Sequence, residues 1–253
     1  MARFEKIILL DLFFLVSTEL YSKCLPLDSK YGESSLKKIL YYNLQGDSKS
    51  ISDVMNDIPD GYYKNYVMGY SYLVGKDVLR NYDLAEKFLI KSSVYCFSPA
   101  HYSLGYLYYM KKDVEEAEKW FVSEKILGDN FAAHQLGVIY KKDRKYKEML
   151  ENFEFAASHY FTSSITELGV IFYDGVLVTK DMDKAFKYFE RAASRNDVLA
   201  QNNLGWMYEH GEGVEKNIEK AKYWYQHAFD NGFEGADKNI ERLKLNFETK
   251  LYY

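Results

Sequence analysis

Five histidines, His101, His134, His159, His210 and His227, are the side chains best suited to acid–base work or metal ligation near neutral pH. A metal site needs ligands at short fixed spacings, so that one helix turn or tight loop brings two of them to one ion. None of the five forms an HExxH pattern or another such spacing, so each reads as a surface or packing residue. No Gly-x-Ser-x-Gly elbow is present, and no nucleophile is paired with a base. Gly211-x-Gly213 reads as a turn between helices, not as a phosphate loop. Cys24 and Cys96 form no CxxC or Cys/His cluster and are too few for a disulfide framework. Glu115-Glu116 and Lys111-Lys112 read as solvated charges at a turn and a helix start. The expectation is a chain that is no enzyme and takes no metal or cofactor.

Binding, not catalysis, is what the composition suits. There are 25 tyrosines in 253 residues. A tyrosine hydroxyl needs a partner when buried, which makes the residue a poor filler for a dry core. On a surface it gives a large contact area at low entropic cost. The formal charge is −4 and no Lys/Arg-rich run occurs, so the electrostatic footprint of a nucleic-acid binder is missing. Only 3 prolines interrupt the chain, which suits many uninterrupted helices.

Those helices repeat. Gly69, Gly105, Gly137, Gly169 and Gly205 are 36, 32, 32 and 36 residues apart. A large apolar residue precedes each glycine, and three residues after it stands an aromatic: Tyr72, Tyr108, Tyr140, Phe172 or Tyr208. A second anchor follows 16 residues after the glycine at Ala85, Ala185 and Ala221, and 12 after it at Ala117 and Met149, as a turn lengthened by four residues would give. Beyond it come Phe88-Leu89, Trp120-Phe121, Phe153, Tyr188-Phe189 and Trp224-Tyr225. Each block holds two amphipathic segments. The glycine and alanine let the two helices approach closely, and the aromatics are expected to fill the space between neighbouring units. Met149, in place of the packing alanine, predicts a looser or shifted junction. One such unit cannot bury its own apolar face, so five stack.

The run Ala200-x-x-x-Leu204-Gly205-x-x-Tyr208-x-x-Gly211-x-Gly213-Val214-x-x-Asn217-x-x-Lys220-Ala221-x-x-Trp224-Tyr225 closely resembles the Sel-1-like repeat, a relative of the tetratricopeptide repeat. The fourth unit repeats it, and the likeness covers about residues 64–245. Units two and three lack the Gly-x-Gly-Val turn and look more tetratricopeptide-like. The resemblance implies an all-α fold, a right-handed α-solenoid of about five helix pairs with capping helices. It implies too that the first helix of each pair lines a concave surface, with inward positions three before, one after and four after the glycine. These positions hold Tyr66, Tyr70 and Leu73; Tyr102, Tyr106 and Tyr109; His134, Val138 and Lys141; Thr166, Val170 and Tyr173; Asn202, Trp206 and Glu209. The candidate partner-binding residues are Tyr66, Tyr70, Tyr102, Tyr106, Tyr109, His134, Tyr173 and Trp206, because Tyr and Trp dominate interface hot spots. The alternative is that the tyrosines pack on one another or on N-terminal helices.

The chain divides into an apolar segment over 1–24, a cap or degenerate repeat over 25–63, the solenoid over 64–235 and a capping helix over 236–253. Ile7 to Val16 has the length of a signal-peptide core, which favours an exported or periplasmic protein, although Asp11, Glu5 and a poor cleavage site fit a buried apolar helix in a cytoplasmic one. It is too short to span a membrane. The resemblance implies a module that binds another protein. Small exported relatives resemble immunity proteins that neutralise secreted toxins. A general adaptor or a secreted host-interaction factor fits equally, and a β-lactamase-like hydrolase is the remote alternative.

Overall fold

The computed structural model describes residues 60–75 and 78–250. The expected segment over 1–24, most of the cap over 25–63, and Leu251, Tyr252 and Tyr253 lie outside the described residues. The described residues form eleven helices and no strand. They fall into two compact units that meet in sequence at Leu127 and Gly128.

The first unit holds α1 (Tyr62–Val74), α2 (Tyr82–Ser93), α3 (Ser98–Met110) and α4 (Val114–Ile126). The second holds α5 (Asn130–Lys142), α6 (Tyr146–Ser158), α7 (Thr162–Asp174), α8 (Met182–Ala193), α9 (Val198–His210), α10 (Ile218–Asp230) and α11 (Gly235–Lys250). Consecutive helices pack as pairs, α1 with α2, α3 with α4, α5 with α6, α7 with α8 and α9 with α10. Within each unit neighbouring pairs stack, and α11 packs on α10. Each unit is therefore a short solenoid.

The four-residue difference read from the sequence lies in the turns. Residues 75–81, 175–181 and 211–217 join the long pairs, and 111–113 and 143–145 join the short ones. In the long turns a glycine in the left-handed conformation ends the first helix: Gly75, Gly175 and Gly211, at φ 74°, 67° and 74°. The second glycine of Gly211-x-Gly213 answers a different need. A Cβ on Gly213 would lie 2.5 Å from the carbonyl oxygen of Met182. In the short turns Lys112 and Arg144 carry the positive φ instead. Both turn lengths end alike. The amide of the residue before the second helix donates to the carbonyl of the repeat aromatic: Asn81 to Tyr72, Asp113 to Tyr108, Lys145 to Tyr140, Asp181 to Phe172 and Asn217 to Tyr208, all at 2.8–2.9 Å. Four of these residues also cap the second helix, each side chain accepting the amide of Leu84, Glu116, Lys184 or Lys220. Such a cap stabilises by about 1 kcal/mol.

The core corrects three expectations. The side chain four residues after each second anchor fills space inside its own pair, while a ring such as Phe186, against Tyr208 of the next pair, does meet a neighbour. A Cβ on Gly105, Gly137, Gly169 or Gly205 would lie 2.5–2.7 Å from the ring of Phe121, Phe153, Phe189 or Tyr225, and Leu89 takes this place over Gly69. Next, Met149 loosens nothing. It is fully buried, and Phe153 seats on Gly137 as its counterparts do. A thioether on a flexible stem fills an irregular space well. Finally, tyrosine does enter the dry core. Tyr225 is fully buried because Glu209 Oε2 accepts its hydroxyl at 2.8 Å.

Cys96, at φ 52° in the turn between α2 and α3, is disulfide-bonded. Ala236, Ile240 and Leu243 are the buried stripe of α11.

Candidate functional site

The positions singled out on the first helices separate by depth. Those just after the glycine are the most open: Tyr70, Tyr106 and Trp206 are 42%, 36% and 37% exposed, and Val138 and Val170 are half-buried. Three others are corrections, since Leu73, Thr166 and Glu209 are buried. At these places the neighbouring helix covers the side chain, which helical periodicity alone does not show. Glu209 there binds the Tyr225 hydroxyl and Arg242 Nη2, both at 2.8 Å.

In the first unit α1 and α3 lie against each other. Tyr66 is half-buried, 5.2 Å from the Phe97 ring and 6.0 Å from Tyr70. Burial, aided by the neighbouring Tyr70, pushes its hydroxyl up to about 12 against a bond from Ser103. Tyr66 thus belongs to a ring cluster with Tyr62, Tyr63 and Phe97. Tyr102 packs 5.6 Å from Phe121 and is half-buried, as is Tyr109. Here the tyrosines do pack on one another, while Tyr70 and Tyr106 stay open.

In the second unit α7 and α9 form the walls of a cleft of about 260 Å³. Val170, Tyr173, Asp174, Phe189, Asn202, Asn203 and Trp206 line it. Four of these are positions marked on the sequence. The Tyr173 hydroxyl donates to Glu212 Oε2 at 2.5 Å, and burial with that carboxylate pushes it up to about 12. His210 stacks on Trp206 at 3.9 Å and donates through Nδ1 to the Trp206 carbonyl, while the Arg242 guanidinium lies 5.6 Å from the indole. Trp206 is therefore held in place with one part of its ring open. His134 sits apart from this cleft. It is half-buried between the rings of Phe153 and Phe161, and its Nδ1 meets Ser164 Oγ at 2.8 Å. Burial pushes its pKa below the ordinary value against the pull of Glu167, so the ring is neutral at pH 7.

One buried polar group leaves no mark in the local sequence. Glu124 and His101 are buried with Nδ1 and Oε1 2.7 Å apart, and Ser98 donates to the other carboxylate oxygen. The other imidazole nitrogen donates to the Ser93 carbonyl at 3.0 Å. Serine and histidine both turn to the carboxylate, and both ring nitrogens are engaged. The group pins α2, α3 and α4 together. No cluster among the described residues could hold a metal ion, and no helix among them is long and apolar enough to cross a membrane.

Comparison with known proteins agrees with this construction. The Sel1 repeat matches residues 65–93, 98–122, 162–197 and 198–233. The pair it passes over is the one with Met149. Sel1 repeat-containing protein YjcO of Escherichia coli is 33% identical over 79 residues, which is 30% of this chain and 34% of that protein. A sel1-like repeat-containing protein, L21, of Acanthamoeba polyphaga mimivirus is 37% identical over 75 residues, 28% of this chain. The match spans only 14% of that relative's length. The crystal structure of a Sel1 repeat protein from Oxalobacter formigenes superposes with a TM-score of 0.65 at 24% identity, over 83% of this chain and 87% of that one. A protective antigen of uropathogenic Escherichia coli with the same repeat fold gives 0.62 at 26% identity, over 71% of this chain and 40% of that one. Repeat frame, turn chemistry and fold agree, and the chain belongs to the Sel1 repeat proteins.

Proposed function

We propose that this chain holds a partner protein through the open face of its first helices, chiefly at the cleft between α7 and α9. Sel1 repeat proteins are in general protein-interaction scaffolds. The observation that carries the proposal is the lining of the cleft. An apolar floor of Val170 and Phe189 is bounded by amides at Asn202 and Asn203 and by an aromatic wall of Trp206 and Tyr173. Such a lining accepts an apolar side chain and leaves hydrogen-bond groups for the backbone that carries it. Tyr70 and Tyr106 offer a second aromatic surface on the first unit. Of the eight candidate residues, Tyr70, Tyr106, Tyr173 and Trp206 are assigned to contact, and Tyr66, Tyr102, Tyr109 and His134 to its support. A dedicated inhibitor of a secreted toxin is the special case implied by the resemblance, and a general adaptor is the broader one.

A photo-crosslinking amino acid at position 206, compared with one at the exposed position 187 on α8, tests this in source cells. The expected result is one polypeptide captured from 206 and not from 187, with capture lost on Tyr173→Ala. Equal capture from both positions, or none from 206, overturns the reading. The captured polypeptide's identity, toxin or otherwise, separates inhibitor from adaptor.

A further inference from the structure

Tyr160 closes the turn between α6 and α7, is 63% exposed and takes φ 63°. A bulky aromatic in the left-handed region is an outlier, because its Cβ crowds the adjoining peptide groups. The equivalent turns after α4, α8 and α10 carry Gly128, Asn196 and Gly232, residues that tolerate this conformation, and the turn after α2 carries the disulfide-bonded Cys96. Tyrosine is thus poorly suited to the turn as a turn.

Two guanidiniums converge on its ring. Arg191 lies 5.5 Å and Arg195 5.3 Å from the centroid. Arg191 uses Nη2 on the Ala157 carbonyl, and Arg195 uses Nε on Thr162 Oγ1 at 3.3 Å. A guanidinium has five N–H donors, so each keeps most of its capacity. Among the described residues neither makes an ion pair with a carboxylate within 4.0 Å. An acid near this corner is Glu154, which opposes Arg191 at the Tyr188 hydroxyl. Arg242, by contrast, is committed to Glu209. In a chain of net charge −4, two unpaired arginines over one exposed aromatic are a local excess of positive charge. The corner opens into α7, whose first residue follows Phe161 with no side-chain cap, so the positive helix end adds to the same field.

We infer that Tyr160, Arg191 and Arg195 form a docking point for an acidic segment of a protein partner. One carboxylate sits in the guanidinium forks, and its aliphatic stem lies on the Tyr160 ring. The fork geometry matches a planar carboxylate bidentately. Tyr and Arg are also the residues that most often anchor interfaces. Anionic lipid recognition calls for clusters of about 4–8 basic residues, more than this corner holds. The point shares no residue with the α7–α9 cleft, so either can fail without the other.

The test uses the full chain labelled with ¹⁵N and an acetylated tetraglutamate peptide as probe, read at the arginine Nε–H signals. Saturable shifts at Arg191 and Arg195 but not at Arg80 or Arg144, weakened by salt, are expected. Arg195→Gln, which gives up one long hydrogen bond, should weaken binding roughly tenfold. Tyr160→Gly should weaken binding and raise the thermal midpoint, because it relieves the positive φ. Equal shifts at all four arginines would overturn the inference, as would unchanged affinity in Arg195→Gln. Tighter binding of inorganic phosphate or anionic vesicles than of tetraglutamate would do the same. So would a Tyr160→Gly protein that melts lower and still binds.

Discussion

Replacing Gly169 by alanine sets two effects of opposite sign against each other. In the middle of α7, alanine is the better helix former by about 0.8–1.0 kcal/mol. Against this, its Cβ would lie 2.6 Å from Phe189 Cε1 and 2.7 Å from Cδ1, where ordinary contact begins near 3.4 Å. The ring must withdraw by about 0.8 Å. Phe189 is 1% exposed and sits on the same helix face as the buried Ala185 and Ala192, so it has no void to enter. Overpacking of this kind costs about 1–3 kcal/mol, and a locked ring belongs in the upper half of that range. The net expectation is a loss of about 1–2 kcal/mol. Urea unfolding followed by circular dichroism gives the total, and amide exchange in α7 and α8 shows where it falls. The decisive control is Phe189→Ala, which by itself costs about 3–5 kcal/mol. In that background the new methyl meets no ring, and Gly169→Ala should turn from destabilising to neutral or stabilising. If Gly169→Ala stabilises the unaltered protein, or costs the same with Phe189 gone, the glycine is not there to seat the ring.

Two further expectations come from the core. Met149→Ala restores the residue found at this anchor in the other pairs, yet it should lower stability by about 2–5 kcal/mol, because Met149 is fully buried and its removal leaves a cavity; a stabilised variant in chemical unfolding would show that the site prefers the repeat's alanine. Burial raises the hydroxyls of Tyr66 and Tyr173 to about 12, and that of Tyr225 too, aided by Tyr70 beside the first and by Glu212 and Glu209 beside the other two, so the folded state holds their protons more tightly than the unfolded state does. Stability from this source is complete below the ordinary tyrosine value of about 10 and falls as pH rises through it. An absorbance titration should show tyrosines that ionise only with unfolding; full ionisation of all of them in a protein still folded by circular dichroism would contradict this.

The repeat frame was legible because its signals are local. A glycine, an apolar neighbour and an aromatic one turn later recur in register, and a four-residue change of spacing can be absorbed only by a turn. The positions after each glycine came from the resemblance to the repeat family, and Tyr70, Tyr106 and Trp206 are exposed there. What escaped depends on pairs far apart in the chain. Glu124 and His101 meet across 23 residues, and Arg195 reaches Thr162 across 33. Nothing in either local sequence marks the partner. Leu73 and Glu209 were placed on an open face by the resemblance to the repeat family, which gives a position on the first helix and not its neighbours here. Their burial is decided by the helices packed on them. The filling of each pair by its own aromatic was missed similarly: the spacing gives the side of the helix, not which neighbour stands on that side.

The tyrosines divide by the company they keep. Tyr108 donates to Glu86, Tyr173 to Glu212 and Tyr225 to Glu209, so three carboxylates of an acidic chain serve as acceptors for half-buried or buried hydroxyls. Tyr225 is the informative case. The place it fills over a glycine is held by Leu89, Phe121, Phe153 and Phe189 in the other pairs. The position Glu209 fills is held elsewhere by Leu73, Tyr109, Lys141 and Tyr173. Hydroxyl and acceptor therefore occur together only in the pair on which α11 packs, and Arg242 of α11 completes them with a charge. An apolar seam would hold α11 as well through Ala236, Ile240 and Leu243. The buried carboxylate adds a requirement that seam lacks. Glu209 is satisfied only when Tyr225 and Arg242 both reach it, which fixes the register of α11 on α10. The same guanidinium lies against Trp206. The lock that seats α11 thus also holds the aromatic wall of the cleft, and an α11 displaced from its seat would alter the surface offered to a partner.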